Sequence, residues 1–309
     1  MANRKPFARF RWLFFREGFL YLFIIIALTI CVNVPVTIRS VNIRRINDTA
    51  ADLNLSQLFY FSKNQIPASA VDWKNLTAYF HMVLKTFPAK SDAEMFLGLC
   101  EYYGFGQEDQ ALLHILHSAD TEPTIFWNVY DAGVLLFMRG NWDQSILYLE
   151  KSLLLPADKI ITTMASSVVY RQFLGGQNTD LLDQINQAHE NACLLLTAAH
   201  YLNRNYAMAK IFATKGMTSR GITNREPFYF YAGAVAMETG NIDEALSFFI
   251  QAIKIKSTNP LVYRFAENIL RKSGEEEKAK KIADIGANLI QDPKLNHFPY
   301  PSRLRLEFF

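Results

Sequence analysis

The chain is short of the features that most function classes require. Of its 309 residues only three are cysteine, Cys31, Cys100 and Cys193, and no two are close enough in sequence to form a CxxC pair. No disulfide framework or cysteine-ligated metal site is expected from them. HExxH is absent, and the histidine pair at helical spacing, His114 and His117, has no third ligand at motif spacing; neither a metal nor another cofactor is expected. Gly104-Phe105-Gly106 and Gly175-Gly176 do not continue into GxGxxG or GKS/T, so they read as turns and not as phosphate cradles. No GxSxG elbow or Cys/His nucleophile motif stands out. No catalytic residue is assigned, and the chain is not expected to be an enzyme.

Charge is scarce as well as balanced. The formal net charge is +3, but residues 1–38 hold Arg4, Lys5, Arg9, Arg11 and Arg16 against Glu17 alone, which leaves 27 basic and 28 acidic residues in the remainder. Phosphate backbones call for a clustered basic face, and no nucleic-acid partner is expected. What the chain has in quantity is apolar material, 50% hydrophobic and 14% aromatic residues, ample for a core.

From Gly18 to Ile38 there is no charged residue. Twenty-one residues as a helix rise about 31 Å, enough for a hydrocarbon core of about 30 Å. No polar face marks the run as a buried core helix, and Val34-Pro35-Val36-Thr37 does not suit a signal-peptide cleavage site. Residues 18–38 are therefore expected to be a transmembrane helix, preceded by a basic cytoplasmic N-terminus over residues 1–17. The basic excess before the span favours a single-pass membrane protein with its N-terminus in the cytoplasm and the bulk of the chain on the extracytoplasmic side.

Self-similarity organises the rest. The segment from Gly140, Gly-Asn-Trp-Asp-Gln-Ser-Ile-Leu-Tyr-Leu-Glu-Lys-Ser-Leu, aligns without a gap with that from Gly240, Gly-Asn-Ile-Asp-Glu-Ala-Leu-Ser-Phe-Phe-Ile-Gln-Ala-Ile. Each opens on a turn dipeptide, continues with an acidic first helical turn, and then places apolar residues three and four apart, the pattern of an amphipathic helix. A third copy starts at Gly274. The small residue after each turn recurs at 34 residues, from Ala111 to Ser145 and from Ala245 to Ala279.

In these residues the chain resembles the tetratricopeptide repeat (TPR) family, whose unit is a 34-residue pair of antiparallel helices. The unit Glu226 to Asn259 carries Tyr229, Ala232-Gly233, Gly240, Ala245, Phe249 and Ala252 at signature positions. Asp92 to Ile125 matches with Gly98 one place early, Phe126 to Lys159 matches through Gly133, Gly140 and Ser145, and Pro260 to Pro293 keeps Tyr263, Gly274, Ala279 and Gly286. The unit from Glu190 is fainter, carried by Leu196, Ala209 and Gly216. Ser145 and Ala209 lie 64 residues apart, room for one degenerate hairpin turning at Gly175-Gly176. Small residues at the crossing, Gly133 facing Ser145 and Gly233 facing Ala245, let two helices approach.

The resemblance implies an all-α fold, a right-handed superhelix of stacked antiparallel helix hairpins (a TPR-like solenoid) following the N-terminal transmembrane helix. Repeats span residues 92–293. Residues 39–91 are a linker with atypical starting helices, expected at Leu53 to Lys63 and Trp73 to Phe87, and residues 294–309 are a C-terminal tail.

The resemblance further implies that the first helix of each hairpin lines a concave groove, here with Phe96, Cys100 and Tyr103, then Trp127, Tyr130, Val134 and Phe137, then Phe230 and Met237, and finally Arg264, Asn268 and Arg271. Such a groove suits a protein or peptide partner, a helix or extended segment with hydrophobic anchors. The alternative that these aromatics pack against the protein's own helices or its tail stays open. The expected function is a membrane-tethered scaffold or assembly factor. The alternative is a module binding a small molecule, glycan or lipid, or a non-catalytic accessory subunit of an envelope enzyme.

Overall fold

The computed structural model describes residues 38–46, 48, 49, 53, 57, 58, 66–166, 178–219 and 222–287. Helix follows helix: α1 (Trp73–Thr86), α2 (Ser91–Cys100), α3 (Glu108–Thr121), α4 (Phe126–Met138), α5 (Trp142–Leu153), α6 (Ala157–Ser166), α7 (Asn178–Leu202), α8 (Tyr206–Thr218), α9 (Glu226–Glu238), α10 (Ile242–Lys254), α11 (Pro260–Lys272) and α12 (Glu276–Ala287). Residues 38–46 are also helical and lie beside α1.

The helices pair as α2/α3, α4/α5, α7/α8, α9/α10 and α11/α12, and the second helix of each pair packs against the first of the next. Each pair alone leaves an apolar face uncovered, so burial is completed only by stacking. The result is an all-helical solenoid. One hydrophobic cluster runs through it from Ile46 to Ile282.

The tight turns inside the hairpins share one geometry. Gly140, Gly240 and Gly274 all sit in the left-handed region, at φ 77°, 79° and 78°. The next N–H reaches back to close the helix end, Asn141 to Leu136, Asn241 to Ala236 and Glu275 to Leu270 at 2.8–2.9 Å, as in a Schellman cap. In the α7/α8 turn Arg204 takes the same place at φ 58°, with Asn205 N–H bonded to His200 O at 2.8 Å. The geometry persists without its glycine, which is why this unit is faint in sequence.

The early position of Gly98 has a structural cause. Helix α2 passes into a single π-helical turn, Glu101–Phe105, closed by Gly106 at φ 65°. A π-turn carries one extra residue. Crossing glycine and turn glycine are thus eight residues apart in this hairpin, against seven for Gly133 to Gly140 and for Gly233 to Gly240.

Two further features depart from the expected organisation. Helix α7 is 25 residues long and runs unbroken into the first helix of the Glu190 unit, because residues 178–202 contain neither glycine nor proline. It packs directly against α5. The turn expected at Gly175-Gly176 lies outside the described residues, as do most of residues 50–65 and all of 288–309.

The expectation of a single-pass membrane protein with an extracytoplasmic repeat domain is corrected. Among the described residues no helix is long and apolar enough to cross a membrane. The longest, α7, carries Asp180, Asp183 and Glu190, charges too costly for a hydrocarbon core. Residues 18–37 of the expected span lie outside the described residues, and Ile38, at its end, is exposed.

Candidate partner-binding surface

The first helix of each hairpin carries the row of side chains expected to line a groove, and the structure divides that row in two. Phe96 is fully buried and stacks on Phe80 of α1, with ring centroids 5.5 Å apart. Trp127, only 1% exposed, lies edge-on to Phe126 and Tyr130, and its indole N–H donates to Met164 Sδ of α6 at 3.3 Å. Tyr130 stacks on Phe126, and Phe137 lies edge-on to Trp142 of α5. Phe230 is fully buried among Tyr231, Phe249 and Phe265. Cys100 and Val134 are buried with them. These side chains join consecutive helices together; their apolar area contributes to the stack itself.

The other half of the row is open. Tyr103, in the π-turn, is half-buried, with its ring stacked on Trp73 at 6.3 Å, and Met237 is half-buried at the end of α9. Arg264, Asn268 and Arg271 are exposed on α11. The Arg271 guanidinium donates from Nε to Glu267 Oε1 at 2.9 Å and from Nη1 to Glu276 Oε2 at 3.1 Å, which holds it across the α11/α12 hairpin.

Three of the first helices are also tied to the loop that follows their hairpin, α2 and α9 at their starts and α7 midway along. The Ser91 hydroxyl donates to Glu122 Oε2 and the Ser257 hydroxyl to Glu226 Oε1, both at 2.6 Å. The Glu190 carboxylate accepts from the backbone N–H groups of Thr223 and Asn224 at 3.0 and 2.9 Å. Each bond spans about one repeat, reaching the loop that leads into the next hairpin.

Sequence reasoning did not single out a polar cluster within the first hairpin. His114 Nδ1 lies 2.6 Å from Glu94 Oε1, and its Nε2 lies 3.5 Å from Glu101 Oε1. Burial pushes the Glu101 carboxyl above the usual carboxylate range, the nearby His114 and His81 oppose that shift, and Glu94 adds to it. Glu94 and Glu101 are seven apart on one helix face, opposite His114; that spacing is the signal the sequence held. His117 is exposed and takes no part. Among the described residues no three side chains of metal-ligating type are grouped to hold an ion.

Hairpin geometry and stacking define the class: a helical repeat solenoid built from antiparallel pairs. No family model and no curated protein matches the sequence. Among solved structures the chain is similar to MamA, at 15% identity and TM-score 0.48, over 63% of this chain and 95% of that one. It is likewise similar to YrrB, described as a TPR protein with an unusual peptide-binding site, at 15% identity and TM-score 0.46, over 70% of this chain and 94% of that one. For the TPR domain of P58(IPK) the identity is 16% and the TM-score 0.30, over 77% of this chain and 61% of that one.

Proposed function

We propose that this chain is a non-catalytic scaffold that holds a protein or peptide partner on the inner face of its last hairpins. The observation that carries the reading is the break in the inner row. Phe96, Trp127, Tyr130, Phe137 and Phe230 are buried, while Arg264, Asn268 and Arg271 at the equivalent positions of α11 face solvent. A surface of guanidinium and amide groups beside the half-buried Leu261 and Phe265 suits a partner segment that brings carboxylate or carbonyl acceptors together with an apolar side chain. The buried aromatics act by keeping this surface rigid, which lowers the ordering cost of binding. Tyr103 and Met237 are the remaining accessible members of the row.

The test is a photo-crosslinking amino acid placed at Asn268 of the full chain in its native cells. A discrete adduct that disappears when Arg264 and Arg271 become alanine supports the reading. Labelling of many abundant proteins without preference, unchanged by those substitutions, contradicts it.

A further inference from the structure

The two ends of the chain differ in charge. Residues 38–90 hold seven basic side chains and three acidic ones, whereas residues 91–309 hold 20 basic and 25 acidic. The N-terminal cap is thus at +4 on a body at −5. Some cations of the body are paired: Arg139 with Asp109 at 2.6 Å, Lys210 with Glu244 at 2.7 Å, and Arg271 with Glu267 and Glu276. In the cap, Arg39, Arg45 and Lys85 make no ion pair among the described residues. The Arg39 guanidinium lies over the Phe87 ring at 5.3 Å. A cation over a ring face keeps part of its interaction yet stays available to an anion.

These cations line two cavities that share Lys85. One, of about 750 Å³, lies between the 38–46 helix and the α1–α2 loop, with Arg39, Lys85 and Lys90 around Ile38, Phe87 and Pro88. The other, of about 500 Å³, is formed by the same helical segment and the side of α1, with Arg45 and His81 beside Tyr79 and Met82. Among the described residues no carboxylate lines either one. Lys90 has Asp92 at 3.6 Å, and His81 has the Glu101 carboxylate nearby.

We propose that this cap is a second docking site, and that its occupant is an acidic, extended peptide segment of a partner protein carrying at least one aromatic or large aliphatic side chain. Charge complementarity sets the sign of the occupant. The cations are distributed along two adjoining cavities instead of converging on one point, which fits carboxylates spaced along a chain better than a single phosphate. The apolar floor at Phe87 and Pro88 receives the anchoring side chain. The inference rests on the scaffold reading only in taking a protein segment as the occupant; it uses a different surface from α11.

The experiment is fluorescence anisotropy on the full-length purified chain, with a fluorescein-labelled peptide of alternating glutamate and aspartate around one phenylalanine and one leucine. A peptide with the acids replaced by lysine is the control. The acidic peptide is expected to bind, to weaken as ionic strength rises to about 0.3 M, and to weaken roughly tenfold in Arg39→Glu/Lys85→Glu. The milder Lys85→Gln, with an unchanged melting temperature, is expected to show an intermediate loss. Because α11 also offers guanidinium groups to carboxylates, the cap substitutions are read in an Arg264→Glu/Arg271→Glu background as well, where the cap-dependent part of the binding is expected to persist.

No binding of the acidic peptide, or binding insensitive to the cap substitutions, overturns the inference. So does cap-dependent binding to phosphatidylserine vesicles with none to the peptide, which would make the occupant a lipid surface. Loss of peptide binding only in the Arg264/Arg271 variant overturns it too, while leaving the α11 surface in place. The crosslink from Asn268 is read independently, so failure at the cap and failure of the scaffold reading are told apart.

Discussion

The Ser145 hydroxyl donates to the Gly133 carbonyl at 2.8 Å, across the α4/α5 hairpin. The bond fixes how closely the two helices approach, and the missing side chain of Gly133 makes that approach possible. A Cβ at 133 would meet Leu149 at 2.7 Å, and one at 233 would meet the Phe249 ring at 2.6 Å. Gly133→Ala and Gly233→Ala are each expected to destabilise the chain by about 1–3 kcal/mol, the usual range for overpacking. Ser145→Ala should lose about 1 kcal/mol or less, because the carbonyl keeps its helical partner. Urea unfolding midpoints compare the three, and a neutral Gly133→Ala would mean the hairpins are not closely packed there.

Arg204 holds a left-handed backbone that its side chain disfavours, at the place where the four other hairpin turns have glycine. Arg204→Gly is expected to stabilise by about 1 kcal/mol, by relief of that strain. The reciprocal Gly240→Ala should cost a similar amount. Thermal melts of both variants check the pair; destabilisation by Arg204→Gly would contradict the turn assignment.

Stability is expected to depend on pH from both sides. Burial raises the Glu226 carboxyl, against a lowering contribution from the Ser257 hydroxyl. A raised folded value means that folding favours the protonated form. The contribution is therefore full below the ordinary value of 4.5 and is lost as pH rises through the raised one. Glu226→Gln should gain stability relative to the parent at pH 7 and lose that advantage near pH 4. Burial lowers His189 and His200. Their contribution is full above the ordinary value of 6.5 and is lost as pH falls from there toward the lowered values. His200→Phe, which keeps a ring against Phe212, should reduce the acid-side loss. Parallel pH profiles of the two variants would refute the assignment.

The two halves of the inner row should respond differently to truncation. Trp127→Ala is expected to cost about 3–5 kcal/mol, as for a buried aromatic. Arg264→Ala and Asn268→Ala should stay within about 0.5 kcal/mol, as exposed positions do. Denaturant titration decides, and equal costs would mean that α11 is as buried as α4.

Much of this fold was written in the sequence at the places where backbone geometry constrains residue type. Gly140, Gly240 and Gly274 mark turns because few other residues tolerate that conformation, and Gly133 and Gly233 mark crossings. Where one substitution breaks the rule, as at Arg204, the repeat fades from the sequence while the turn remains. Gly98 looked misplaced because an inserted residue leaves no local signature; only the π-turn reveals where it went. The resemblance to the repeat family implied groove positions for Trp127 and Phe230, but a repeat position does not say what packs on top of the side chain. The pairing of Glu94 and Glu101 with His114 depends on the crossing of α2 and α3, which no linear pattern specifies.

Amide hydrogen exchange of the full chain, with and without the partner captured from Asn268, tests the central claim most directly. The account predicts slowed exchange confined to α11 and the Met237 end of α9. Slowed exchange on α3, α5 and α8 instead, or no change on α11, would contradict it.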